Sequence, residues 1–408
     1  MQISIYQRNS LKILFLIGSP DLNGGTYVIV EHAAYAMSKG HDVTLLSMEP
    51  PTIDSLAWHP ALAQLKVLHI DDYDGKQADL AIATFWRTTF ELARVNARQY
   101  AYFVQSIESR FYPDHDINMR RLVDCTYQIG LPGITEAEWI RQHLEDNYGS
   151  NYFLAHNGIR KDLYTTTGPS HAPRKGARLR CLVEGSLKSP HIKNTARTAR
   201  LVRSVRGIES WLLTPTVMRW YPGFERLFCR LSVPEVPDVY RSCDVLIKLS
   251  LVEGMFGPPL EMFHCGGTAV VYKVSGHEEY IRHSDNALVA PLHDEARVRE
   301  YIIALRDDRA LLGRLQAGAQ ATAADWPGWP ESSSRFLQHL HALMDEQRVS
   351  RIWLADKLIS LRGAHANAFA TQNGHIASET SSHPWTRHAK ARLNESREWI
   401  GYVLDGYR

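Results

Sequence analysis

Residues 249–263 read LSLVEGMFGPPLEMF. In this stretch an apolar run ends at Glu253, a glycine–proline turn follows, and Glu261 lies on a segment predicted to begin a helix. A turn of this kind brings backbone N–H groups and two carboxylates into one small space, which suits a ligand that carries both phosphate and hydroxyl groups. The alternative is a surface strand–turn–helix with two solvated acids, which is the usual interpretation of an isolated glutamate pair.

Length and composition indicate an ordinary globular protein with more than one domain. The chain has 408 residues, which is too long for one hydrophobic core and suits two domains of usual size. Its hydrophobic fraction of 44% and charged fraction of 22% are those of typical globular proteins. A formal net charge of +2 gives no reason to expect a nucleic-acid partner, which would require a concentrated basic surface.

The cysteines and the apolar N-terminal run predict a cytoplasmic location. The five cysteines are odd in number and form no CxxC pair, so we expect reduced thiols rather than a disulfide or zinc framework. They are Cys125, Cys181, Cys229, Cys243 and Cys265. Residues 11–17 are apolar but too short to span a bilayer, and no small-residue cleavage site follows them, so they predict a buried strand and not a signal peptide.

Strand-like and helix-like segments alternate through the first half of the chain. Residues 27–38 have apolar side chains at helical spacing, with an apolar run on each side. This order implies right-handed crossovers and a parallel sheet. Strands are predicted at residues 12–17, 41–46, 66–70, 80–83, 100–104 and 128–131.

The alternation restarts after a polar stretch with proline and glycine at residues 165–177, which predicts a hinge. Strands are predicted at residues 179–184, 210–214, 244–249 and 268–272, and helices at 194–205, 237–241, 259–264 and 297–305. The predicted fold class is therefore α/β, with two Rossmann-like, doubly wound domains. Ligands of such sheets bind at the carboxyl ends of the strands, so we expect the site in a cleft between the domains.

The predicted division of the chain is an N-terminal domain at residues 1–165, a C-terminal domain at 166–330 and a helical extension at 331–408. A segment at 363–383, rich in Gly, Ala, Asn, Ser and His, is expected to be mobile. A final helix is predicted at about 389–404, with apolar residues that could dock on a domain, a partner or a membrane surface. We expect it to dock on the chain's own N-terminal domain.

Two loops carry candidate phosphate-binding residues. Gly24 and Gly25 precede the first predicted helix, where free N–H groups and the helix dipole favour an anion, although Gly-Gly is also an ordinary turn. Lys188 and Lys193 lie in the loop at residues 185–194, at the start of another predicted helix. They could clamp a diphosphate and stabilise it as a leaving group, or form a solvated basic cap.

A third loop, residues 102–113, leaves a strand of the N-terminal domain and mixes polar groups with aromatic faces. Sites that bind carbohydrate combine groups of these kinds. Its candidate residues are Gln105, Glu108 and Tyr112. The loop could equally be packed within the domain.

Several of these motifs resemble one known family. The pattern from Glu253 to Glu261, with its internal glycines, matches the E-x7-E signature of retaining GT-B glycosyltransferases of family 4. Other segments that fit the family are residues 23–25, 39–43, 157–159 and 265–271. Within the family, the chain is similar to the WsaF-like bacterial rhamnosyltransferases at residues 83–88, 103–105, 111–113 and 193–194. The resemblance covers roughly residues 11–345.

The resemblance implies a role for each candidate residue. Glu261 would accept hydrogen bonds from the nucleotide ribose, and Glu253 would lie nearer the donor sugar and phosphates. Lys193 would neutralise the leaving diphosphate. The remaining donor-side residues are Gly24, Gly25, Gly185, Ser186, Gly254, Phe256 and Gly257, and those expected towards the acceptor or sugar are Gln105, Glu108 and Tyr112.

One position departs from the family pattern. Family members usually carry Arg directly after the glycine of the second-domain loop, and this chain has Ser186 there. A hydroxyl cannot replace a guanidinium fork, so either Lys188 supplies the missing charge or stabilisation of the leaving group is weaker. The first-domain loop histidine of the wider family is also missing, and Gln105 and Glu108 lie in its neighbourhood.

The expected activity is transfer of a sugar, L-rhamnose by preference, from a nucleoside-diphosphate donor to a hydroxyl of a growing glycan or glycolipid. By resemblance the configuration is retained, and neither a metal nor another cofactor is needed. The Asp-x-Asp spacing at Asp114 and Asp116 lies in a polar loop and is interpreted as a surface feature. The donor expected first is dTDP-L-rhamnose, followed by UDP- and GDP-sugars.

Two other functions stay open. A nucleotide-sugar epimerase of the same fold would act without an acceptor, and a catalytically decayed binding module would bind the donor without turnover. Peripheral contact with the inner face of the membrane also stays open, as does the oligomeric state.

Overall fold

The computed structural model describes residues 10–174 and 177–365, and in it the chain forms two compact units. The first unit takes in Met1–Gly158 and Pro327–Ala368, as far as these are described, and the second contains Ile159–Trp326. The segment predicted to be mobile lies almost wholly outside the described residues, and the final predicted helix at 389–404 lies outside them entirely. Within the described residues, none of the helices combines the length and apolarity that crossing a membrane requires.

The first unit is built on a parallel sheet of seven strands in the order β3-β2-β1-β4-β5-β6-β7. Its strands are β1 (Lys12–Ile17), β2 (Asp42–Ser47), β3 (Lys66–His69), β4 (Ala78–Ala83), β5 (Ala97–Val104), β6 (Gly133–Thr135) and β7 (Phe153–Leu154). Its first helices are α1 (Gly24–Ser38), α2 (Ile53–Leu56), α3 (Trp86–Thr89), α4 (Ile117–Tyr127) and α5 (Glu138–Tyr148). The central strand β1 is apolar and almost fully buried, as expected for a parallel strand covered on both faces.

The second unit contains a six-stranded parallel sheet in the order β10-β9-β8-β11-β12-β13. Its strands are β8 (Leu179–Glu184), β9 (Ile208–Thr214), β10 (Arg226–Cys229), β11 (Val245–Lys248), β12 (Thr268–Tyr272) and β13 (Ala287–Ala290). Its helices are α6 (Pro190–Lys193), α7 (Thr195–Arg203), α8 (Val236–Ser242), α9 (Gly257–His264), α10 (Glu295–Asp307) and α11 (Arg309–Asp325). The predicted α/β class with two Rossmann-like domains is confirmed.

After the second unit the chain returns to the first through α12 (Trp329–Leu343) and α13 (Arg351–Ala364). Phe336 of α12 is buried in the same apolar cluster as Phe15 of β1. Beside them the His32 ring stacks on Phe336 at 4.0 Å, and its Nδ1 lies 3.0 Å from Ser333 Oγ. Burial lowers the pKa of His32 to about 3, so this histidine is a neutral part of the core.

One predicted strand is wrong, and several elements were not predicted. Residues 128–131 form a turn after α4, and the strand begins only at Gly133, after Pro132. Ile129 and Leu131 are buried as in a strand, but Gly130 between them has φ +80°, which ends any extended run. The short strands β7, β10 and β13, of two, four and four residues, were not predicted.

In both sheets the first strand of the unit lies in the middle. β1 lies between β2 and β4, and β8 lies between β9 and β11, so the strand order reverses beside each of them. Such a reversal opens a crevice at the carboxyl ends of the two central strands, where open α/β sheets bind ligands. Each unit therefore has one expected binding position, at β1/β4 in the first and at β8/β11 in the second.

We expect Gly158→Ala to destabilise the first unit. A Cβ at this position would lie 2.4 Å from the backbone nitrogen of Trp329 and 2.5 Å from its Cα, so the main chain itself would have to shift. Overpacking of this kind costs on the order of 1–3 kcal/mol. Thermal unfolding should show a clear fall in Tm.

The matched control is Gly313→Ala, inside α11, where nothing lies within 4 Å of an added Cβ. Alanine favours a helix interior by roughly 1 kcal/mol over glycine, so this variant should be as stable as the wild type or more so. Equal Tm values for Gly158→Ala and the wild type would contradict the close packing of α12 on residue 158.

Candidate functional site

Two oppositely charged side chains end the central strands of the second sheet. Glu184 is the last residue of β8, and Lys248 is the last residue of its neighbour β11. The Lys248 side chain is only 2% exposed, and its ammonium donates to the Glu184 carboxylate and, at 3.3 Å, to the Glu184 carbonyl. An ion pair between a buried ammonium and a half-buried carboxylate therefore lies where the strand order reverses, at the position at which ligands of such sheets bind.

The loops that follow these two strands are tied to each other. Asn194 Nδ2 donates to the Leu249 carbonyl at 2.9 Å, and Leu251 N–H donates to the Ile192 carbonyl at 2.8 Å. Asn194 has φ +52°, a conformation that asparagine tolerates better than most residues, and it joins α6 to α7. Lys193 and Glu253 form an ion pair of 2.8 Å across the same junction. The structure thus brings together these two residues, which the sequence predicted to act at one site.

Glu253 is held as a carboxylate. Its side chain is 6% exposed, and burial by itself would raise its pKa. The nearby ammonium groups of Lys193 and Lys248 outweigh this effect, so the pKa of Glu253 lies below its ordinary value. Glu253 therefore carries a negative charge throughout the neutral range.

Glu261 lies half-buried on the first turns of α9, and its environment favours the protonated form. Burial and the neighbouring charge of Glu184 raise the pKa of Glu261 to about 7. Hydrogen bonds from Tyr240 and Tyr164, and the charge of Lys248, act in the opposite direction but are weaker. The two glutamates of the 249–263 stretch thus differ: Glu253 is ionised, and Glu261 titrates near neutrality.

The start of α9 has few backbone amides to offer to a ligand. Gly257 N–H donates to the Met255 carbonyl at 3.0 Å around the fully buried Phe256, and the next two residues are prolines, which have no N–H. The hydroxyl of Tyr280 donates to the Phe256 carbonyl and accepts from Leu260 N–H. The amide of Gly257, predicted to contact the donor, is thus already used within the loop.

The loop after β8 is fixed by Gly185. This residue has φ +145°, and a Cβ on it would lie 2.5 Å from Thr195 Oγ1, so only glycine fits. Ser186 accepts a hydrogen bond from Lys188 N–H at 3.1 Å, which closes a turn. The Lys188 side chain is exposed, and Gly254 of the facing loop is half-buried.

The first unit brings three predicted residues together at the carboxyl end of its own sheet. Gly24 and Gly25 begin α1, capped by Asn23, which accepts from Thr26 N–H at 2.9 Å. A Cβ on Gly25 would lie 3.3 Å from Gln105 Nε2, so the glycine and this side chain are close neighbours. Gln105 Nε2 in turn donates to the carbonyl of Thr84, directly after β4, at 3.3 Å.

Glu108 and Tyr112 lie further inside the first unit. Glu108 is 3% exposed, and its carboxyl group accepts from Trp86 N–H at 2.6 Å and from the Tyr102 hydroxyl at 3.3 Å. Burial raises the pKa of Glu108 to about 8, so at neutral pH it is largely a protonated cap at the start of α3. Tyr112 packs edge-on against Trp86, with ring centroids 6.3 Å apart. Their roles on the sugar side stay predictions.

The Asp-x-Asp spacing serves local structure. Asp116 accepts from Met119 N–H at 3.2 Å and caps α4, and the Asp114 side chain is 98% exposed and pairs with Arg120. Among residues 10–174 and 177–365 there is no group of three or more His, Cys, Asp or Glu side chains that could hold a metal ion.

Four residues of this site were missed by the sequence reasoning. Glu184 and Lys248 are charged residues at the ends of strongly apolar strands, a signal that could have marked them. Tyr164 and Tyr240 belong to a loop and to α8, and neither carries a sequence pattern that points to Glu261.

Comparison with known proteins gives a family match that includes Glu253 and Glu261. Residues 226–322 match the family of glycosyl transferases group 1. The matched segment contains β11, both glutamates and α9. A D-inositol 3-phosphate glycosyltransferase of Catenulispora acidiphila is 36% identical over 104 residues, which are 26% of this chain and 25% of that protein. The chain thus spans about a quarter of the length of the curated relatives it matches.

Solved structures are similar over both units. HepE of Anabaena, crystallised with UDP and glucose, superposes with a TM-score of 0.64 and 15% identity over 81% of this chain and 100% of that one. The sucrose-phosphate synthase of Thermosynechococcus elongatus gives a TM-score of 0.64 and 12% identity over 82% and 99% of the two chains. The chain has the GT-B fold.

Replacing Glu261 by glutamine should make stability less dependent on pH. Because the pKa of Glu261 is raised from 4.5 to about 7, its contribution to stability is complete below pH 4.5 and is lost as pH rises through 7. Glutamine does not ionise, so Glu261→Gln should gain up to about 3 kcal/mol over the wild type between pH 5 and pH 8. Chemical denaturation at both pH values measures this difference, and parallel pH profiles would contradict it.

The same reasoning applies to Glu108 at higher pH. With its pKa raised to about 8, Glu108 contributes stability that is complete below pH 4.5 and is lost as pH rises through 8. Glu108→Gln should therefore gain up to about 3 kcal/mol over the wild type between pH 6 and pH 9. Unfolding curves at pH 6 and pH 9 test this, with the exposed Asp114→Asn as the control that should follow the wild type.

Proposed function

We propose that the protein is a glycosyltransferase that takes its sugar from a nucleoside-diphosphate donor bound at the β8/β11 crevice of the second unit. The observation that carries this proposal is the family match over residues 226–322, which includes Glu253 and Glu261. Independent support comes from the position of both glutamates at the reversal of strand order, where the fold binds ligands.

The donor we propose first is dTDP-L-rhamnose, with UDP- and GDP-sugars as the alternatives. HepE, a neighbour in fold, was crystallised with UDP-glucose. In the proposed reaction an acceptor hydroxyl oxygen forms a bond to the anomeric carbon while the bond from that carbon to the diphosphate breaks. The bonding electron pair leaves on the phosphate oxygen, which takes the hydroxyl proton, and the configuration is retained.

The charges of the site support separate roles for Glu261, Lys193 and Glu253 in binding the donor. Glu261 would accept hydrogen bonds from the ribose of the nucleotide, or from the 3′-hydroxyl alone where the sugar is the deoxyribose of a thymidine nucleotide. Since these bonds favour the carboxylate, binding would lower the pKa of Glu261 from about 7. Lys193 is 35% exposed and so reaches solvent beside the buried Glu253. It would bind the diphosphate, and Glu253 would lie towards the transferred sugar.

The first unit carries the remaining residues of the proposal. Gly24 and Gly25, proposed to bind the donor, lie beside Gln105, proposed to face the acceptor or sugar, at the carboxyl end of its sheet, where a polar ligand can meet backbone and amide groups. The proposed acceptor is a glycan or glycolipid. Cytoplasmic location and peripheral membrane contact remain predictions.

A thermal-shift screen against dTDP, UDP and GDP tests the donor class. A ligand that binds only the native state stabilises it by roughly 2.7 kcal/mol at a hundredfold excess over Kd, so the preferred nucleotide should raise Tm most. Glu261→Ala should lose most of this shift, because the ribose contact disappears. Asp114→Ala, which changes an exposed acid in the first unit, is the matched control.

Product analysis then separates the functions. Transfer requires an acceptor, whereas an epimerase converts the donor without one, and a decayed module binds the donor and leaves it intact. No shift with any of the three nucleotides would reject the proposed donor class altogether.

A further inference from the structure

Lys248 holds an unusual position for a lysine. It is the last residue of a central strand, its side chain is 2% exposed, and its ammonium lies 3.6 Å from the point at which a Cβ on Gly185 would stand. The charge is therefore fixed beside the backbone of the loop that the proposed function assigns to the diphosphate. Burying a lysine is costly unless it is paired, and here the pairing partner is Glu184.

Lys193, which the proposed function assigns to the diphosphate, is already paired with Glu253, and the other donors and charges around the crevice are weaker. Ser186 stands where the resemblance leads us to expect arginine, and its hydroxyl is engaged with Lys188 N–H. Lys188 is exposed and so is less able to act as a fixed charge. At the start of α9, Gly257 N–H is bonded within the loop and two prolines follow.

Three carboxyl groups lie near two ammonium groups at this crevice. Lys248 interacts electrostatically with Glu184, Glu253 and Glu261, and Lys193 pairs with Glu253. A diphosphate that enters adds further negative charge, so its binding depends on how much of the lysine charge remains uncompensated. Glu184 is the carboxylate that compensates Lys248 most directly, because it accepts a hydrogen bond from its ammonium.

We propose that Lys248, at the end of β11, supplies the fixed positive charge that attracts the donor diphosphate in place of an arginine at position 186. Glu184 partly neutralises this charge and so weakens the attraction. The inference rests on the proposed function. Lys248 acts on the ligand through the protein interior and is therefore a positioning residue. Because its ammonium is already ordered and shielded from water, its field needs no rearrangement when the diphosphate arrives.

Four variants test this inference by calorimetric titration with UDP or dTDP, whichever the wild type binds, and with the corresponding nucleoside. Lys248→Met should weaken binding of the diphosphate at least tenfold and leave binding of the nucleoside within twofold. Glu184→Gln should tighten binding of the diphosphate several-fold, because it removes the compensating charge. The double variant should bind the diphosphate as weakly as Lys248→Met. Lys66→Met removes an exposed charge from the first unit and should match the wild type.

The double variant keeps the test informative even if Lys248→Met fails to fold. Lys248→Met alone leaves Glu184 without its partner, and removing one member of a buried pair is strongly destabilising. With Glu184→Gln as well, neither charge is left alone. A residue with a purely structural role would then regain diphosphate binding along with stability, whereas the proposed role predicts that binding stays weak.

The outcomes separate this inference from the proposed function. If the wild type binds no nucleoside diphosphate, the proposed function fails, and this inference fails with it. If the wild type binds one but the double variant binds it equally well, only the role of Lys248 is rejected. Weaker diphosphate binding by Glu184→Gln would also overturn it. So would a fifth variant, Lys188→Met, if it loses more diphosphate binding than the double variant.

Discussion

The ion pair between Lys248 and Glu184 is the interaction on which the rest of the site depends. It joins the ends of two neighbouring strands in the middle of the second sheet, and the loops that follow these strands are those that carry Lys193 and Glu253. The same ammonium contributes to the low pKa of Glu253 and opposes the rise in the pKa of Glu261. One buried charge thus influences the protonation of both glutamates that the sequence singled out.

The two units use buried carboxyl groups in different ways. Glu253 lies beside two lysines and stays ionised, whereas Glu108 accepts from an N–H and an O–H, lies near the charge of Glu136 and is largely protonated at neutral pH. Glu108 accepts from Trp86 N–H at the start of α3, and its own N–H donates to the Tyr127 hydroxyl, so it ties the loop after β5 to the rest of the unit. Its role on the sugar side stays a prediction.

The sequence predicted what local patterns determine. The strands β1, β8 and β12 were predicted at their observed bounds, and the spacing from Glu253 to Glu261 led to the crevice of the second sheet. Local patterns cannot predict contacts between residues that are distant in the chain. Glu184 and Lys248 are an example, since they meet only when β8 pairs with β11. The strand predicted at residues 128–131 is a turn instead, because Ile129 and Leu131 are buried at the spacing of a strand but Gly130 between them has a positive φ.

The path of the chain through α12 also constrains how the protein folds as it is synthesised. The second unit is continuous between Ile159 and Trp326, so its sheet can be completed as soon as that stretch has left the ribosome. The first unit begins earlier but finishes later, because the face around Phe15 and Val30 stays uncovered until Phe336 and its neighbours arrive. The N-terminal sheet is therefore the part of the nascent chain with the longest exposure to aggregation and to chaperones.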